Sequence, residues 1–292
     1  MSLYELFTRP PPMDRVLVMG LEGWIDAGAG AAQAMAALRA GTTTEVIGSF
    51  DSDALIDARA RRPVVQLTDG VHENISWPTI EVHAGTDQHG TGLLLLTGPE
   101  PDFRWREFTE DVLHLAADLS VTMTVGFGAF PAPVPHTRPV RLAATATSRE
   151  LADGVGFVPG TIEVPGGIHA AIEQAVGETG LPATGLWARV PHYIANLPYP
   201  AASVAILEGL RKVAGIEVDT AELQATAAVT NSRIDALLAN RALLNSEDHT
   251  ALIQALETQW DADLGRISGP MPTDLPSGDE LAAELERFLR EQ

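Results

Sequence analysis

The sequence contains no cysteine. Disulfides, thiolate zinc sites, iron–sulfur clusters and cysteine nucleophiles are excluded together, and the chain suits a reducing compartment. Its only lysine is Lys212, so a phosphate loop ending in Gly-Lys-Ser/Thr is absent as well. Basic residues are scarce: 19 Lys and Arg stand against 39 Asp and Glu, a formal net charge of -20. Such a surface repels phosphate backbones and anionic lipid, which argues against nucleic-acid and membrane partners. Long hydrophobic runs are missing too. Leu93–Leu96 and Val121–Phe127 are core-strand lengths, far short of the roughly 20 residues of a membrane helix. The first residues, MSLYELFTRPPPMDR, carry Glu5 in a short apolar patch before three prolines, unlike the order of a signal peptide. A cytoplasmic location is expected. No His-Glu-x-x-His or Gly-x-Ser-x-Gly occurs, and His83 and His89 flank a loop with only Asp87 as a nearby carboxylate. No metal or cofactor is called for.

What is present is enough for a large core: 292 residues, 45% of them hydrophobic. After Pro10–Pro12 the run RVLVMG (15–20) reads as a buried strand, LEGWIDAG as a loop, and GAAQAMAALRAG as an alanine-rich helix ending near Gly41. Strands are predicted over 44–50, 63–68, 74–85 and 90–98, a helix from Trp105 to about Leu119, and a strand over 120–128. Four prolines in 129–141 predict a loop, followed by strand 142–148, helix 167–180 and strand 185–193. The alternation argues for an α/β fold, a three-layer α/β/α sandwich. Beyond Ala201 the pattern is almost continuously helical, with Leu223, Ala227, Ile234, Leu237 and Leu238 on one stripe. A Gly/Pro-rich linker is expected over 265–278 and a last helix over 279–290. The chain thus divides into a core domain, 1–204, and a helical region, 205–292.

Four stretches carry a family likeness: GLEGWIDAGAGA (20–31), LTGPEPDFRWREF (96–108), PHTRP (135–139) and LWARVPHYIANLPYPAAS (186–203). Together they resemble the actinobacterial branch of the PAC2 family, the proteasome-assembly-chaperone-2-like proteins. The resemblance implies a fold like that of purine nucleoside phosphorylases and homo-oligomers, trimers in members similar to this one. It also implies protein partners. Eukaryotic and archaeal relatives are proteasome assembly chaperones, some of which dock through a C-terminal hydrophobic–tyrosine–any-residue tail. This sequence ends Leu289-Arg290-Glu291-Gln292, so docking by such a tail is not expected.

Candidate ligand-binding residues lie on three loops. Glu22, Trp24 and Asp26 sit between the first strand and helix, where amides at a helix N-terminus favour an anion. The bland account is that Asp26 caps the helix, Trp24 anchors the turn and the glycines adopt positive φ. His136 and Arg138 sit in the proline-bracketed PHTRP, as an acid beside an anion clamp or as loop and subunit contacts. His192, followed by Tyr193 and Asn196, ends a predicted strand, where ligands of open α/β sheets often sit. Two functions follow. One is a non-catalytic oligomeric interaction or assembly protein; the alternative is an enzyme or binder of a small anionic or nucleoside-like ligand, with these residues around one pocket.

Overall fold

The computed structural model describes residues 2–23, 25–244 and 249–267. The chain opens with β1 (Tyr4–Leu6), β2 (Arg15–Glu22), α1 (Gly30–Ala40), β3 (Glu45–Phe50) and α2 (Ser52–Leu55). A hairpin, β4 (Val64–Thr68) and β5 (Val71–Ser76), precedes β6 (Glu81–Thr86) and β7 (Gly92–Pro99). Then come α3 (Trp105–Asp118), β8 (Val121–Ala132), β9 (Leu142–Ala146), α4 (Arg149–Val155), α5 (Ile168–Glu178) and β10 (Ala183–Pro191). Helices α6 (Pro200–Ala214), α7 (Ala221–Leu244) and α8 (His249–Ile267) complete the described chain.

Eight strands form one mixed sheet in the order β1-β3-β6-β7-β2-β8-β10-β9. Its centre, β7-β2-β8-β10, is parallel, and antiparallel strands flank it. The central runs are largely apolar because both faces are covered. Along β2, Val16 and Val18 join the core beneath α1 and α6, while Leu17 and Met19 point the other way, to the core of α3 and α5. Leu93 and Leu95 of β7 divide from Leu94 and Leu96 in the same manner. The fold is therefore mixed α/β with helices on both sheet faces. No helix among the described residues is long and apolar enough to cross a membrane.

Two predicted boundaries are corrected. The expected loop from 129 begins only after Ala132, because β8 continues through Pro131, which pairs with Val190. The β2 ladder has already ended at Met19–Gly126, so the missing N–H of Pro131 takes nothing from that side. The expected strand 74–85 is broken at Trp77-Pro78, and its halves join different sheets. On α7, Ile234 enters the core with Leu223 and Leu238 against it, but Leu237, one residue from Leu238, turns to solvent. By its contacts the chain forms two compact units, Met1–Ser246 and Glu247–Gln292. The expected boundary at 204/205 falls within α6. Of the expected linker 265–278, residues 265–267 belong to α8; the rest of it, and the expected helix 279–290, lie outside the described residues.

Candidate functional site

A cavity of about 1230 Å³ opens at the C-terminal ends of the parallel strands, the place where open α/β sheets bind ligands. β2 supplies Gly20 to Glu22, β7 supplies Thr97 and Gly98, and β8 supplies Phe127 and Phe130. Helices α1 and α5 wall it, the latter through His169 and Glu173.

Asp26 is held at its edge by the turn that follows β2. Gly28 there has φ +66°, and a Cβ on it would come within 2.8 Å of the Tyr199 Cβ, so glycine is required. Asp26 accepts the amide N–H groups of Ala31 at 2.7 Å and Ala32 at 2.9 Å, capping α1. Desolvation holds its carboxyl above the usual range, against the pull of these amides. Glu100 does the same for α5, accepting the Ile168 N–H at 2.8 Å, and its own N–H donates to the Glu22 carbonyl at 2.6 Å.

Deeper in, the Leu21 N–H donates to His169 Nε2 at 3.1 Å. The imidazole proton must then sit on Nδ1. Burial pushes the pKa of His169 down to about 4, so the ring is neutral near pH 7. Trp187 donates through Nε1 to Thr145 Oγ1 at 3.2 Å, and Thr145 donates on to Glu173 Oε2 at 2.7 Å. Burial raises the Glu173 carboxyl.

The sequence-predicted residues do not surround one pocket. Glu22 and Asp26 line the large cavity, and Trp24 lies outside the described residues. His136 and Arg138 line a separate recess of about 340 Å³ with Tyr199, Asn231 and Asp235. There His136 is only 2% exposed. Its Nε2 lies 2.9 Å from Asp235 Oδ1 and its Nδ1 2.8 Å from Tyr193 Oη. A carboxylate partner requires the proton on Nε2, so the tyrosine hydroxyl donates to Nδ1. With both nitrogens used, His136 fastens the PHTRP loop to α7. His192 is exposed beyond β10, its ring edge-on to Tyr193. The sequence reading passed over His169, Glu173, Glu100 and Trp187. The available signal was His169 and Glu173, two titratable groups four apart and so on one face of a largely apolar helix.

The PAC2 family matches residues 20–238. The chain belongs to the PAC2 family. A solved structure from Corynebacterium glutamicum, of unknown function, is 29% identical to this PAC2 protein, covering 91% of this chain and 100% of its own at a TM-score of 0.82. A Mycobacterium tuberculosis protein, also of unknown function, is 35% identical over 90% of each chain, with a TM-score of 0.80. A proteasome-assembly chaperone homologue from Mycobacterium tuberculosis is 33% identical, covering 82% of this chain and 99% of its own, with a TM-score of 0.74. No curated protein matches the chain.

Proposed function

We propose that this PAC2 protein is a cytoplasmic, non-catalytic assembly-chaperone-like protein that works as a homo-oligomer, a trimer, and engages proteasome-related proteins. The observation that carries this is the β4–β5 hairpin. Thr68 pairs with Val71 across a two-residue Asp69-Gly70 turn, and both turn residues have positive φ. Neither strand joins the main sheet, and every residue of both is exposed. Val64, Val65, Leu67, Val71 and Ile75 are between 40% and 70% exposed. A lone two-stranded hairpin is marginal in water, and exposed apolar side chains gathered on such a hairpin invite a covering partner. A second copy of the chain is the partner that the family resemblance favours.

The test is light scattering of the intact protein and of a Leu67→Asp, Val71→Asp double variant, with recovery of proteasome subunits from the host lysate by each. A trimer reduced to single chains by the variant, with loss of the proteasome subunits, is the expected result. A wild-type monomer, or a variant that keeps both mass and partners, overturns it. Folding of the variant is secure because the hairpin lies outside both cores.

A second reading is favoured by the cavity: that it holds a small molecule, in a fold of the phosphorylase-like type that the family resemblance implies. Its volume slightly exceeds the usual range for ligand sites, roughly 300–1,000 Å³.

A further inference from the structure

Both helix N-termini beside the large cavity are already occupied by the protein's own carboxylates. Asp26 takes the Ala31 and Ala32 amides of α1, and Glu100 takes the Ile168 amide of α5. These are the positions where a phosphate or carboxylate ligand would bind. The remaining charge has the same sign. Among the described residues lining the cavity, Glu22, Asp26, Glu81, Glu100 and Glu173 face one guanidinium, Arg39. Arg39 acts at the far end, where Glu81 is paired with His83. Arg61, beside Gly23 outside the lining, is paired with Asp102 at 3.3 Å. An anion entering the cavity would meet five carboxylates against the single guanidinium of Arg39.

The apolar part of the lining is equally specific. The Trp187 indole lies over Gly128, where a Cβ would come within 2.3 Å of the ring. Gly128 thus supplies the floor on which the ring rests. The Nε1 bond to Thr145 fixes the ring, and the same hydroxyl holds Glu173. An aromatic surface and a carboxylate are fixed together on one wall, with Phe127 and Phe130 also lining the space. Indole faces attract cations, more strongly where water is displaced. A separate observation concerns His169: it lines the cavity half-buried, its Nε2 is used by Leu21, and Nδ1–H has no acceptor among the described residues. A donor on the cavity wall can be matched by an acceptor atom of a molecule that fills the space.

We propose that the cavity binds a small molecule with an apolar or aromatic body, a protonated amine and an acceptor atom, the amine lying between the Trp187 ring and the carboxylate of Glu173. This rests on the reading of the cavity as a ligand site and reverses the anionic class expected from the sequence. Glu22 at the mouth, and the charge of -20 over the whole chain, draw the same class of molecule inward.

The test uses three probes with one 5-methoxyindole body at pH 7, followed by ligand-observed NMR titration: 5-methoxytryptamine, 5-methoxyindole-3-acetate and uncharged 5-methoxyindole. The amine should bind at least tenfold more tightly than the acid. Glu173→Gln should reduce that ratio at least threefold. Ala170→Phe on α5 and Ala32→Phe on α1, both exposed positions lining the cavity, should each abolish binding; two variants on opposite walls guard against one failing to fold. Equal or tighter binding of the acid, or binding of the uncharged probe alone, overturns the amine class and leaves the cavity reading standing. Failure of all three probes, or binding that survives both phenylalanine variants, overturns both.

Discussion

His169 can be neutral because one nitrogen accepts the Leu21 amide and the surrounding protein desolvates the ring on the cavity wall. Desolvation has a consequence for stability that can be given a sign. The unfolded imidazole titrates near 6.5 and the folded one near 4. Between those values the unfolded chain binds a proton that the folded chain refuses, so stability falls as pH falls through that window, by at most about 3 kcal/mol. Asp26 and Glu173 act in the opposite sense. Their folded carboxyls are raised, so they add stability at low pH that is lost as pH rises through the folded pKa. Comparison of wild type with His169→Gln cancels the carboxylates. The stability advantage of wild type over the variant should be smaller at pH 4.5 than at pH 7 in urea unfolding, and an advantage independent of pH would show that the His169 ring is not desolvated as described.

At the scale of elements, the junction between β2 and α1 depends on Asp26. Two amide N–H groups of α1 lose their acceptor in Asp26→Ala, which should cost about 1–2 kcal/mol. Asp26→Asn keeps one oxygen acceptor and should recover part of the loss, read from urea midpoints with an unchanged slope. This junction was legible in the sequence, because an apolar run, a glycine loop and an alanine-rich segment each demand one local structure. The same holds for β7 and α3. Short elements were not legible: β1, α2 and α4 have three, four and seven residues, too few to show a period. Pro131 misled the reading of β8, since a proline excludes a strand only where its N–H is needed. The site was half legible. Glu22 and Asp26 sit on a loop whose composition announces itself, whereas His169 and Glu173 enter the cavity only because α5 packs against the sheet beside β10. His136 and His192 looked like partners for Glu22, but the topology sends one to α7 and the other to solvent. Convergence of that kind belongs to the tertiary arrangement, and neither spacing nor composition encodes it.

For the whole molecule, the question is where the folded core ends. Composition alone changes near Ala201, yet the core beneath α1 takes Ile206, Leu207 and Leu210 from α6, Ile216 after it, and Ile234 from α7. Leu210 and Ile206 are fully buried, and each large aliphatic side chain removed from such a place costs about 2–5 kcal/mol. A chain stopped at Val204 would lose all five, enough to cancel the roughly 5–15 kcal/mol by which domains of this kind are stable. It should be insoluble or lack a cooperative thermal transition. His136 would also lose Asp235 and be left buried with an unmatched nitrogen. A chain stopped at Ser246 keeps both cores complete and should melt cooperatively within a few degrees of the full-length protein by circular dichroism. If the 1–204 fragment melts as the full chain does, α6 and α7 add nothing to the core; if the 1–246 fragment fails to fold, residues 247–292 contribute stability that the first unit does not contain.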